Sequence, residues 1–299
     1  MIHTMENEDL RVQIADKGAE LISIFDKKKK REVMWQADPA FWPRHAPILF
    51  PNVGKHWQNV YRIKGKEWRS SQHGFARDLI FACVGTETAK VVHELCSNES
   101  TLESYPFAFV LRVSHSLEGR ILKVCWEVEN PSEETMYFAI GGHPAFALPA
   151  DRYGECSLFF EGKESLTYHL IDPAGSGTVM PKTYTLALKD GCYALDTLRD
   201  GDEVIAEHTF DRDALVFDGG QIEKARVLLP DDEPYVELRG TGFSNYGIWA
   251  APRAPFVCLE PWAGRADNYE YSGLLSEKPD INTLDAKEEF VWCYEIEIL

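Results

Sequence analysis

Four short stretches set titratable side chains among prolines, glycines and aromatics instead of on alternating strands, the usual setting of a binding or catalytic site. In G-G-H-P-A-F (Gly141 to Phe146), His143 follows two glycines and precedes a proline. Its backbone therefore has a specified shape, because glycine permits close approach or positive φ while proline fixes φ and removes a donor. In V-C-L-E-P-W-A-G-R-A-D-N an apolar run ends in Glu260, followed by Pro261 and Trp262. Burial beside an indole would raise the pKa of that carboxyl, as a base working near neutrality requires. P-R-H-A-P-I-L-F-P-N-V-G-K carries Arg44, whose planar fork of donors suits a polyol, carboxylate or phosphate. Q-H-G-F-A-R-D adds His73, Arg77 and Asp78. An imidazole that donates and a carboxylate that accepts can act as general acid and base on opposite sides of one substrate, so His143 and Glu260 pair by chemistry. Each residue also has a structural reading: Arg44 held by a carboxylate, His73 as a turn residue, Glu260 capping a strand with Trp262 in the core.

The elements that must hold these groups are strands. Runs rich in β-branched and aromatic residues recur between turn signals, and few windows keep a helical period. A-E-L-I-S-I-F, then D-K-K-K-K-R-E, then V-M-W-Q reads as strand, charged tip, strand. Further strands are expected near 79–85, 90–95, 107–117 and 120–130, with Glu118-Gly119 as a tight turn. In the last run Leu122, Val124, Trp126 and Val128 fall on one face, and Lys123, Cys125, Glu127 and Glu129 on the other. No linker, low-complexity block or fixed-period repeat divides the series, so residues 1–299 read as one all-β domain.

Composition narrows the partners. The 299 residues carry a formal net charge of -17, with 48 acidic against 31 basic side chains. That disfavours nucleic acid or an anionic membrane, either of which asks for a basic face. No apolar run approaches the ~20 residues needed to cross a bilayer, and the start M-I-H-T-M-E-N-E-D-L lacks the order of a signal peptide. The chain reads as soluble and cytoplasmic. Seven cysteines with no C-x-x-C pair, mostly inside apolar runs, read as reduced core thiols and not as a disulfide frame or zinc site. Trp262, Phe146 and Phe75 could offer flat faces to a sugar ring.

R-x-A-P-I-L-F-P, H-G-F-A-R, G-G-H-P-A-F and L-E-P-W, in this order across nearly the whole chain, resemble the aldose 1-epimerase (galactose mutarotase) family, and look closest to a divergent branch of it. The resemblance implies an antiparallel galactose mutarotase-like β-supersandwich with an aldohexose such as galactose or glucose in an open cleft, no metal and no cofactor. It implies His143 as the acid to the ring oxygen and Glu260 as the base to the anomeric hydroxyl. Arg44, His73 and Arg77 would bind the sugar, with Trp262 as a platform and Asp218, in A-L-V-F-D-G, holding hydroxyls. The better-known branch has N-x-N-H-x-x-G-G around its first histidine where this chain has Q-H-G-F, which bears on the preferred sugar. Three other classes remain open. A non-catalytic sugar-binding protein would use the same cleft. A hexose-6-phosphate 1-epimerase would need Arg44, Arg77 and Lys55 as a basic cluster. A metal hydrolase on His73, His143 and Glu260 lacks any close H-x-H or H-x-x-x-H spacing.

Overall fold

The period-two runs become strands because one row of side chains can be buried while the next stays wet. In the computed structural model, which describes Met1–Leu299, 49% of residues are strand and 7% helix, and the strands pair antiparallel. The lone α-helix is one short piece, Glu99–Ser104, capped by Asn98, which accepts from the Thr101 N–H. No helix is long and apolar enough to cross a membrane.

The 120–130 run is the strand Ile121–Glu129, with Leu122, Val124, Trp126 and Val128 buried as their spacing requires. Its outer face is charged, and Arg112 on the neighbouring strand reaches Glu94, Glu127 and Glu129. Gly119 turns the chain between the two strands at φ +53. The lysine-rich segment is the tip of the hairpin Leu21–Asp26 to Arg31–Glu32, and Lys28 and Lys29 pair with Asp9 and Glu233. The strand expected at 79–85 begins later, at Ala82–Glu87, because a turn over Ala76–Asp78 occupies the preceding residues and leaves Ile80 exposed.

Two large sheets dominate. The nine-stranded sheet runs in the order Cys192–Ala194, Ser157–Phe159, Lys224–Leu229, Glu233–Arg239, Glu289–Ile298, Ile121–Glu129, Val110–Glu118, Lys90–Cys96, Ala82–Glu87. The eight-stranded sheet runs Val179–Ala187, Ser165–Ile171, Leu215–Phe217, Asn245–Trp249, Phe256–Ala263, Ile140–Gly142, Ile48–Leu49, with Ala145–Ala147 added against Phe256–Ala263. A four-stranded sheet spans residues 2–32. One cluster of 67 buried residues draws on all three sheets. The opposite face of the eight-stranded sheet carries a separate cluster of seven, including Leu49, Val53, Val216, Trp262 and Ala266. That second face is where the four motif stretches meet.

The expectation of reduced thiols fails at one place. Cys125 and Cys293 are disulfide-bonded, while the other five cysteines are free. They lie 168 residues apart, and only the register of Ile121–Glu129 against Glu289–Ile298 sets them face to face.

Candidate active site

His143 and Glu260 are brought together by an interruption in the sheet. Strands Ile140–Gly142 and Ala145–Ala147 both pair with Phe256–Ala263, and His143-Pro144 is the gap between them, opposite Leu259 and Glu260. Pro144 and Pro261 lack N–H donors, so breaking the ladder here strands fewer backbone groups. The gap turns the imidazole onto the cleft face. His143 Nε2 lies 3.3 Å from Glu260 Oε2, and the two residues are 7% and 1% exposed.

The two glycines before His143 have a different role from the one their backbone freedom suggests. Neither takes a positive φ. A Cβ on Gly141 would stand 2.5 Å from Cδ1 of Trp262, and one on Gly142 would stand 3.0 Å from the Tyr294 hydroxyl and 3.2 Å from Trp126. Gly141 thus makes room for the indole on the cleft face, and Gly142 for the aromatics of the main core. The far edge of the same indole covers Gly247, where a Cβ would come within 2.2 Å of it. Trp262 therefore lies flat across both neighbouring strands, a platform that glycines on each side allow.

Aromatics wall the pair. Trp42 stacks on the His143 ring at 4.9 Å and 27°, and Trp249 meets it edge-on at 5.6 Å. Burial drives the Glu260 carboxyl well above the usual carboxylate range, with the Trp262 indole pulling the other way and Asp213 adding to the rise. Burial likewise lowers His143 to about 3, and the guanidiniums of Arg77 and Arg44 push in the same direction. In its resting form the pair is a carboxyl held toward its neutral form beside a neutral imidazole, with Glu260 Oε2 free of any hydrogen-bond partner.

His73 stands at φ +63 and is pinned twice to Gly54: its N–H donates to the Gly54 carbonyl at 2.8 Å, and its Nδ1 accepts from the Gly54 N–H at 3.1 Å. That bond leaves Nε2 as the protonated nitrogen. Burial, followed by the charges of His143, Arg77, Arg44 and Lys55, keeps the ring neutral. Arg44 donates to Asp78 at 2.8 Å, and Arg77 donates to the Gln72 carbonyl at 2.7 Å.

These groups line a cleft of about 390 Å³, at the small end of the usual range for ligand pockets. The structure places Arg44, His73, Arg77, His143, Glu260 and Trp262 on its wall. Asp218 is elsewhere, 3.3 Å from His169 and off the cleft lining, because the strand Leu215–Phe217 carries it past the site. Besides Glu260, the carboxylate at the cleft is Asp213, near the other end of that strand, held at φ +69. Phe146 is fully buried in the main core and Phe75 packs on Phe50 and Phe109, so neither offers a face to a ligand. The cleft is lined instead by Trp42 and Trp249, and sequence reasoning missed both. Trp42 lies two residues before Arg44, just outside the stretch that begins at Pro43, whereas Trp249 and Asp213 sit in unremarkable strand ends. His73 does not join His143 and Glu260 as a ligand set; the third group within reach of the pair is Cys258. Burial and Glu260 push that thiol far above its usual range, so it remains protonated.

The aldose 1-epimerase family model matches residues 1–240. Two relatives from Lactococcus lactis subsp. lactis, the chromosomal and plasmid forms of protein LacX, are each 31% identical over an alignment of 308 positions, gaps included, that covers 99% of this chain and 98% of theirs. A galactose mutarotase related enzyme from Lactobacillus acidophilus has a similar structure, with a TM-score of 0.89, 31% identity, and coverage of 100% of this chain and 97% of that one. A galactose mutarotase-like protein from Lactobacillus casei gives 0.85 at 29% identity, with both chains fully covered.

Proposed function

The chain belongs to the aldose 1-epimerase family, and on that premise we propose that it interconverts the α and β anomers of an aldohexose, with Glu260 as base and His143 as acid. The observation that carries the reading is the 3.3 Å contact of these two side chains on the wall of a cleft of monosaccharide size. Residues 1–299 act as one unit in it, since the cleft draws on residues from Trp42 to Ala266.

The protons balance as follows. A neutral Glu260 and a neutral His143 hold the same number of protons as a carboxylate and an imidazolium, so transfer of one proton across the pair makes both reactive forms at once. The carboxylate then takes the proton of the C1 hydroxyl, and the imidazolium gives one to the ring oxygen. The C1 to ring-oxygen bond breaks and C1 becomes an aldehyde. At that point Glu260 is again neutral and His143 again neutral, the form that burial favours. The site therefore matches its protonation to the open-chain species. Rotation about C1–C2 and reversal of both transfers closes the ring to the other anomer. Trp262 and Trp42 would flank the ring, and His73 Nε2, Arg44, Arg77 and Asp213 would hold its hydroxyls.

A second reading is favoured by one observation. Arg44 and Arg77 share the single carboxylate of Asp78, and Lys55 runs alongside with its stem against Gly177, so one side of the cleft is cationic on an acidic chain. A sugar carrying a phosphate or carboxylate would suit it. Freshly dissolved α-anomers of glucose, galactose and glucose 6-phosphate, followed by optical rotation or one-dimensional NMR, separate these readings. No acceleration with any of them, together with measurable sugar binding, would favour a carbohydrate-binding protein without turnover.

A further inference from the structure

Away from the cleft, the edge strand Ile2–Glu6 of the four-stranded sheet meets the edge of the nine-stranded sheet at Ala82–Glu87 and Lys90–Cys96. Each contributes a metal-ligating side chain to one spot: His3, Cys83 and His93. One nitrogen of each ring and the Cys83 sulfur lie within 4.8 Å of one another. Cys83 Sγ is 3.9 Å from His3 Nδ1. The other nitrogen of His3 lies 2.7 Å from Asp16 Oδ1, and His93 Nε2 lies 3.3 Å from the same oxygen.

We propose that His3, Cys83 and His93 bind a borderline-soft divalent ion of the zinc class, with Asp16 as the carboxylate that orients the ring of His3. Two imidazoles and a thiolate are the donor set such ions select, and the fourth position of a tetrahedral site is left for water or Asp16. Bond lengths of about 2.3 Å to sulfur and about 2.0–2.1 Å to nitrogen set the donors roughly 3.3–3.6 Å apart, so from separations of up to 4.8 Å the cluster closes by no more than about 1.5 Å on loading. A carboxylate on the outer nitrogen of an imidazole fixes the ligating tautomer, and the Asp16 contact with Nε2 leaves Nδ1 facing Cys83. His93 is fully buried with its Nδ1 unpartnered. The ion would tie two sheets together at their edges, and its residues touch no part of the cleft.

The test uses the full chain stripped with a chelator and titrated with Co²⁺, then with Zn²⁺ in competition. Expected is one ion per chain with a thiolate-to-cobalt charge-transfer band, displaced by Zn²⁺. Cys83→Ser should abolish the band, and Asp16→Asn should weaken affinity by roughly 10–100-fold. Cys258→Ser, which removes the sulfur next to Glu260, should leave the band intact. Circular dichroism confirms that each variant is folded, and His3→Gln, at a partly exposed position, serves as a second ligand variant. The proposal is overturned if the stripped chain shows no such band at saturating Co²⁺, if the band survives Cys83→Ser, or if Cys258→Ser removes it. In those cases the cluster is a hydrogen-bonded staple without a metal.

Discussion

Adding one methyl group to the backbone under Trp262 should disable the site while leaving the fold nearly intact. In Gly141→Ala the new Cβ would stand 2.5 Å from Cδ1 of the indole, 3.2 Å from Val53 and 3.3 Å from Leu49. Carbon pairs rest about 3.5–4.0 Å apart, so the indole must retreat by about 1 Å. It can yield toward the cleft, whose wall it forms. The stability cost should therefore sit near the bottom of the ~1–3 kcal/mol typical of overpacking. The catalytic cost should be large, since a misplacement of about 1 Å in a site that works by positioning is worth on the order of 10²-fold. Gly142→Ala is the control. Its Cβ points into the main core, at 3.0 Å from Tyr294 and 3.2 Å from Trp126, so the neighbours need yield only a few tenths of an ångström, and without an open side to yield into. It should lower the melting temperature more than Gly141→Ala does, yet keep kcat/KM within about fivefold, the cost of roughly 1 kcal/mol. Polarimetric kcat/KM and thermal melts on both variants decide the matter. If Gly141→Ala retains parental kcat/KM, the platform role of Trp262 is refuted.

Glu260→Gln and His143→Gln should each lower kcat by on the order of 10²-fold or more with a smaller change in KM, and the double variant should fall short of the product, because acid and base serve one step. Asp213→Asn should reduce kcat/KM by roughly 10–100-fold, the worth of a charged hydrogen bond, whereas Asp218→Asn should leave it near parental; the reverse order in a sugar titration would return the role to Asp218. The kcat/KM profile should show no inflection near 6.5, since His143 takes a second proton only as pH falls toward about 3; a limb at the ordinary histidine value would contradict the burial argument. Because its folded pKa is lowered, His143 contributes stability that is present above 6.5 and lost as pH falls through about 3, so His143→Gln should flatten the acid side of a stability-versus-pH curve. Anomerisation should survive exhaustive EDTA, even though the same treatment strips the site at Cys83.

The strands could be read because their signal is local. Leu122, Val124, Trp126 and Val128 alternate with polar residues, and that alternation is itself the reason they are buried. His143 and Glu260 could be read because unusual neighbours flank them. What escaped was set by register and by strand ends. Asp213 and Asp218 bracket one three-residue strand, and nothing in A-L-V-F-D-G tells which end opens onto the cleft. The doubled glycine looked like backbone freedom, but Gly141 and Gly142 point to opposite sides of a sheet, and each answers to an aromatic more than 100 residues later, Trp262 or Tyr294. The same distance concealed Cys125 from Cys293, and it kept His3 from being read with Cys83 and His93.

The bond between Cys125 and Cys293 turns more than half of the chain into a covalent ring, and both His143 and Glu260 are threaded on it. A protease that nicks any loop within the ring produces two polypeptides that stay joined. Arg44, His73 and Arg77 instead lie on the tail that leads into it. A cut in that tail, at 97–109 for example, separates those three from the catalytic pair with only non-covalent contacts left to hold them. Electrophoresis with and without reductant should therefore sort nicks by location: those in the ring resolve into fragments only after reduction, and those in the tail do so either way.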